Sequence, residues 1–308
     1  MSLLDRPAVA SLVGRGMQRA VLAARPKRSG RFPECPGDKR ELTVPDSVAP
    51  ARAVVYRPPE SAGAKPPVYV NLHGGGFVMP LTGMDDPMCR LLAARAGVVV
   101  INVDYALAPQ HRFPGPPHQA FEIVQWIAEH GDEHGWDASR MAVGGQSAGG
   151  SLAAAVARQA WEQGGPPLAL QVLHYPVLDL VTRSETKPSS LAKPMLRPWM
   201  GRVFNGSYLP DPGRRIDRLA SPAHSADVED LTGIAPAVVI TAEHDLLRAE
   251  GQRYAQRLRE VGALVEHHDL SGVDHGYDVK DADRAREGYQ LIAGHLRRAL
   301  VPEPSDGG

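Results

Sequence analysis

The 308-residue sequence predicts an α/β fold built on a doubly wound, mainly parallel sheet. Three observations carry that prediction. Short apolar runs alternate with helical patterns along most of the chain. One such run, Arg140-Met-Ala-Val143, passes through Gly144-Gly-Gln-Ser-Ala-Gly-Gly150 straight into a small-residue helical pattern. One long segment, Val181 to Asp217, breaks the rhythm.

Residues Pro7 to Lys27 carry apolar positions at helical spacing, with Arg15, Arg19, Arg25 and Lys27 between them, and predict one or two amphipathic helices. Arg28 to Lys39 reads as a loop. Short strands follow at Glu41–Val44 and Arg52–Tyr56, then a linker from Pro58 to Pro67 with four prolines. Val68–Leu72 and Val98–Val103 are buried strands, with a helix over Pro87–Arg95 between them. A helix over Ala120–His130 precedes the glycine-rich turn. Leu168–His174 and Ala237–Thr241 are further strands. Gly251–Val261 is a helix, Leu264–His268 the last strand, and Glu287–Leu300 a closing helix. In an open sheet of this kind, ligands bind beyond the carboxyl ends of the strands. Val181 to Asp217 is rich in Pro, Lys and Arg but holds Met195, Trp199, Met200, Phe204 and Tyr208. Long inserts in compact folds are functional or disordered. The large apolar residues argue for a lid.

Composition narrows the function. A formal net charge of −1 gives no reason to expect nucleic acid or an anionic membrane as partner. Cys35 and Cys89 make no disulfide framework, and no metal-spaced cluster is present. Neither a signal-peptide core nor a membrane-length apolar run is evident, so a cytoplasmic location is expected.

Gly145-Gln-Ser-Ala-Gly149 is a G-x-S-x-G between strand and helix, the context of a nucleophile elbow at Ser147. The pentapeptide alone turns up by chance in roughly one or two of every ten chains this long, so partners must decide. The first partner is His73-Gly-Gly-Gly76 after a strand. Three glycines let backbone N–H groups turn toward a ligand, and with Ala148 N–H they would form an oxyanion hole. His73, at the root of that loop, reads as structural. The second partner is an acid after the next strands: Asp245 fits best, with Glu243 and Asp179 as alternatives. The third is His275, beside Gly276 in the loop after the last strand. His267 and His268 lie within that strand and His295 within the last helix. Asp274 cannot easily orient its own neighbour's ring.

At this point the chain resembles the hormone-sensitive lipase family of esterases, whose bacterial members are often called family IV. The resemblance is carried by His73–Gly76, Asp104-Tyr-Ala-Leu-Ala-Pro109, Gly145–Gly150, Tyr175-Pro176, Ser221-Pro222, Asp245 and His275-Gly276, and runs from about Arg52 to Leu300. It implies an α/β-hydrolase fold, with catalytic segments 41–180 and 218–301. Residues 1–40 and the insert 181–217 would form a helical cap. It implies a cofactor-free carboxylesterase acting on small-molecule esters, often as a dimer. By position, Gly75, Gly76 and Ala148 would supply the oxyanion N–H groups. Three residues depart from the pattern: Gln146 stands where Asp or Thr is common, Gln110 where Glu is usual, and Leu246 where Pro is common. Short- to medium-chain esters are the expected substrates, with Met195, Trp199, Phe204 and Tyr208 as candidate walls of the acyl pocket. Amide, carbamate or lactone hydrolysis at the same site is the near alternative. A non-catalytic ligand-binding protein is the distant one, since receptors of this kind have lost the histidine that His275 supplies here.

Overall fold

The structure is a computed structural model that describes residues 2–24, 30–45, 48–59 and 65–301. Two stretches given a role above lie outside them: the end of the first helix at Arg25–Lys27 and the middle of the proline linker.

Among the described residues, eight strands form one sheet. In chain order they are β1 (Asp38–Val44), β2 (Ala51–Arg57), β3 (Pro67–Leu72), β4 (Val99–Asp104), β5 (Asp137–Gln146), β6 (Leu170–His174), β7 (Ala237–Ala242) and β8 (Leu264–Leu270). Their spatial order is β1-β2-β4-β3-β5-β6-β7-β8. The first two strands run antiparallel to their neighbours, and all the others pair in parallel. Strand β3 lies between β4 and β5, so the chain turns one way after β3 and the other way after β4. That reversal opens a crevice at the carboxyl ends of β3 and β5, where the two glycine-rich loops begin.

The central strands are buried on both faces, as parallel strands covered by helices must be. Alternation along them splits the core in two. Val68, Val70 and Leu72 face one cluster, with residues of α3 (Gly115–His130), α4 (Ala148–Gln163) and α6 (Arg248–Glu260). Tyr69, Val100, Val172 and Ile240 face the other, against α2 (Asp86–Ala96) and α8 (Ala282–Leu300).

Among the described residues, helices of the N-terminus and of the insert lie outside this sandwich. The amphipathic N-terminal pattern forms one described helix, α1 (Pro7–Ala24), and the insert folds helix α5 (Pro198–Tyr208). They cross at small residues: a Cβ on Gly206 would sit 2.6 Å from Ala10 Cβ, and one on Gly14 2.9 Å from Ser207 Oγ. Buried Gln18 of α1 donates to the carbonyls of Val78 and Ala108, both at 2.9 Å, and pairs its amide with Gln110. Gln110, one of the departures from the family pattern, thus anchors α1. The insert is rooted by Lys187, which donates to Asp179 O at 2.8 Å and forms an ion pair with buried Glu250.

Candidate active site

Strand β5 ends in the turn that presents Ser147. Its φ of 54° and ψ of −115° lie in a region that side-chain-bearing residues avoid. The flanking glycines make the turn possible. A Cβ on Gly149 would stand 1.8 Å from Leu72 O, and one on Gly145 2.2 Å from the same atom. Neighbouring strands fix the turn from outside: Ser147 N–H donates to His174 O at 2.9 Å.

The loops after β7 and β8 bring the other two groups to it. His244 N–H donates to Val273 O at 3.0 Å, tying the two loops together. Asp245 is buried, and its Oδ1 accepts Leu247 N–H at 3.0 Å. Its Oδ2 lies 2.7 Å from His275 Nδ1. His275 Nε2 lies 3.0 Å from Ser147 Oγ. A carboxylate only accepts, so Nδ1 carries the proton and Nε2 is free to accept from the serine hydroxyl. Burial pulls the imidazole pKa down. The Asp245 carboxylate, by charge and hydrogen bond, with Asp274 and Asp278 by charge, raises the net value above the ordinary one.

The alternatives for the acid are engaged by other partners. Glu243 accepts Gly272 N–H at 2.7 Å. Asp179 is occupied by Thr182 and Arg253 at the root of the insert. His73 is fully buried, stacked 4.3 Å from the Tyr105 ring, and kept neutral by burial. It holds its loop and faces no reacting group.

That loop carries Gly75 at φ 116° and Gly76 at φ 62°. Among the described residues none accepts a hydrogen bond from the N–H of Gly75, Gly76 or Ala148. All three line or adjoin the crevice in which Ser147 stands. A cavity of about 620 Å³ opens there, with Ser147 and His275 in its wall. Met195 and Phe204 of the insert line it, and Met200 joins them. Trp199 and Tyr208 do not, which corrects their assignment as pocket walls. Trp199 is 46% exposed on the outer side of α5. Tyr208 stacks flat on Phe77 at 3.9 Å and edge-on against Phe113, filling the joint between α5 and the sheet domain. Helical spacing alone does not say which face of α5 turns inward.

Two groups went unread in the sequence. Buried Asp85, in the cavity wall, accepts from Asn71 at 2.9 Å and from Gln146 at 3.3 Å. Burial pushes its carboxyl up to about 8. Gln146, the departure next to the serine, is therefore a donor to a carboxyl on the adjoining loop. Asp278 accepts from the phenols of Tyr175 and Tyr289. Asp85 follows no strand, and Asp278 lies past the histidine loop among Asp274, Lys280 and Asp281, so neither left a spacing signal. Among the described residues, no group of three or more His, Cys, Asp or Glu could hold a metal.

A glycine-rich loop after β3, a serine elbow after β5, an acid after β7 and a histidine after β8 make one arrangement, and residues 69–279 match the sequence profile of the α/β hydrolase fold. The chain belongs to that family. Its hormone-sensitive lipase branch, expected from the motifs, is borne out by the relatives. The esterase LipI of Mycobacterium tuberculosis is 36% identical over 244 residues, covering 77% of this chain and 74% of that protein. The ethyl acetate hydrolase of Pseudomonas putida is 34% identical, covering 87% and 84%. The esterase of Pyrobaculum calidifontis superposes with a TM-score of 0.81 at 33% identity, over 95% of this chain and 94% of that one. No described helix is long and apolar enough to cross a membrane.

Proposed function

We propose that this carboxylic ester hydrolase works through an acyl-enzyme on Ser147, with His275 as general base and Asp245 as the acid that orients it. The observation that supports this most is the line of hydrogen-bond distances, 3.0 Å from Ser147 to His275 and 2.7 Å from His275 to Asp245. Ser147 Oγ attacks the ester carbonyl while Nε2 takes its proton. Asp245 keeps the proton on Nδ1 and stabilises the imidazolium that forms. The N–H groups of Gly75, Gly76 and Ala148 receive the developing oxyanion, each worth on the order of 3 kcal/mol. His275 then protonates the leaving alkoxide, and water repeats the cycle.

The substrates are short- to medium-chain esters. Met195, Met200 and Phe204 give the cavity apolar walls, and each buried methylene gains about 0.8 kcal/mol until the space is filled. Helices α1 and α5 act as a cap over the site. The working form is a cytoplasmic homodimer without cofactor, nucleic acid or membrane, a state that light scattering and cell fractionation check. The test of the reading is kcat/KM across p-nitrophenyl esters from acetate to palmitate, beside Ser147→Ala. We expect a maximum at short to medium chains and loss of turnover in the folded variant. A maximum at palmitate, or a turning-over Ser147→Ala, contradicts it.

A further inference from the structure

Tyr175 follows β6 directly, and its φ of 37° is unusual for a residue with a bulky side chain. Such a conformation costs on the order of 1–3 kcal/mol and persists only where the surroundings over-determine it. Two contacts do so here. Its N–H donates to Ile240 O at 2.7 Å, and its phenol donates to Asp278 Oδ1 at 2.7 Å. Burial and the nearby Asp278 charge keep that phenol protonated, so the carboxylate is the acceptor. The ring so held meets the His275 imidazole edge to face, at 4.9 Å between centroids and 64° between planes.

Asp278 is placed to join three parts of the fold. It lies in the four-residue helix α7 (Tyr277–Lys280), directly after His275-Gly276. Its Oδ2 accepts from Tyr289 of α8 at 2.9 Å. Its backbone carbonyl accepts from Arg31 at 2.6 Å. The carboxylate thereby ties the histidine loop to the end of β6 and to α8. Among the described residues, no Lys or Arg forms an ion pair with it, and both its oxygens take neutral phenol donors.

We propose that Asp278 is a positioning residue for His275 and acts through Tyr175: the carboxylate holds the phenol, and the phenol ring holds the imidazole at the serine. The proposal rests on His275 being the general base. It adds a second carboxyl to the histidine's surroundings, with a role distinct from that of Asp245. Asp245 fixes the tautomer through Nδ1. Asp278 fixes where the ring lies, and its charge favours the imidazolium. The charged or titratable groups facing His275 are Asp245 from the loop after β7, Asp274 from its own loop, Asp278 from α7 and His174 from β6. The three carboxylates raise its pKa, whereas a charged His275 disfavours protonation of His174.

The test compares Tyr175→Phe, Asp278→Asn and the double variant on p-nitrophenyl butyrate. Small misplacements of a catalytic group cost one to two orders of magnitude, so each single variant should lose about tenfold in kcat with KM within about twofold. The double variant should lose no more than either single one, because the two residues form one device. Asp278→Asn removes a negative charge near the imidazolium, so the acid limb of its kcat/KM profile should also move to lower pH. Tyr175→Phe keeps the charge and should move kcat more than the limb. Tyr289→Phe, which loses a bond to Asp278 but none to Tyr175, should cost less kcat than Tyr175→Phe. Losses that multiply in the double variant, or wild-type kcat in Tyr175→Phe, overturn the proposal. If Asp278→Asn fails to fold, Tyr175→Phe alone decides. Failure of the triad reading looks different: Ser147→Ala would then retain turnover whatever these variants do.

Discussion

Replacing Gly76 by alanine tests, with one methyl group, the loop proposed to hold the oxyanion. Gly76 sits at φ 62°, and a Cβ there would lie 2.3 Å from Phe204 Cδ2, 2.4 Å from Cγ and 2.6 Å from Cε2. The left-handed backbone costs an L-residue about 1–2 kcal/mol. Forcing a methyl into a packed ring costs about 1–3 kcal/mol more. Together these remove about 2–5 kcal/mol of folding free energy, which for a 308-residue chain lowers Tm by about 3–8 °C. The chemistry should suffer more than the fold. Either the loop or the Phe204 ring must move, and a shifted loop withdraws a donor whose loss costs about 10²–10³ in kcat. The assay is kcat on p-nitrophenyl butyrate, with Tm by calorimetry on the same sample. A companion double variant with Phe204→Ala removes the colliding ring, so its Tm loss should be smaller than the sum of the two single losses. Gly76→Ala with wild-type kcat and wild-type Tm would refute the reasoning.

The remaining predictions concern pH. In the proposed mechanism the general base must be neutral, and the net effect of the carboxylates around it is to raise His275 above its ordinary value, so the acid limb of kcat/KM should lie above about 6.5. Asp245→Asn removes the largest raising influence; the limb should fall in pH and the enzyme should be slow, and an unmoved limb would contradict this. Asp85 has a folded pKa raised to about 8. The folded state therefore holds a proton that the unfolded state gives up, and stability drains away as pH rises from the unfolded carboxyl value through about 8. Asp85→Asn removes the ionisable group, so its Tm advantage over wild type should widen between about pH 6 and pH 9. A gap that stays constant across that range counts against a neutral Asp85.

Much of the site was legible because its backbone demands are severe. Gly145 and Gly149 must lack side chains where Leu72 O approaches within 2.2 Å and 1.8 Å of a Cβ, so the serine turn left a mark in residue type. The same holds for Gly75 and Gly76, both at positive φ. Asp245 and His275 were singled out by strand order, a topological regularity that needs no contact information, and the structure brings both to Ser147. Element boundaries were blurred where flanking residues suit several conformations. Helix α3 begins at Gly115, before Pro116-Pro117, which fit a helical first turn although they read as breakers. Contacts made by tertiary packing alone were not legible. Trp199 and Tyr208 share a helix with Phe204, yet one faces solvent and one is wedged against Phe77 and Phe113. Tyr175 and Asp278 are 103 residues apart, and nothing in either neighbourhood announces their bond.

The central claim is that Ser147 is the residue that becomes acylated. A fluorophosphonate probe followed by intact mass and peptide mapping tests it most directly. The account predicts one adduct per chain, on the peptide containing Ser147, with hydrolysis of p-nitrophenyl butyrate lost in proportion to labelling. Labelling should fail in His275→Ala, whose serine lacks its base, and in Ser147→Ala. An adduct on another serine that abolishes activity, or full labelling of Ser147 with turnover intact, would contradict it.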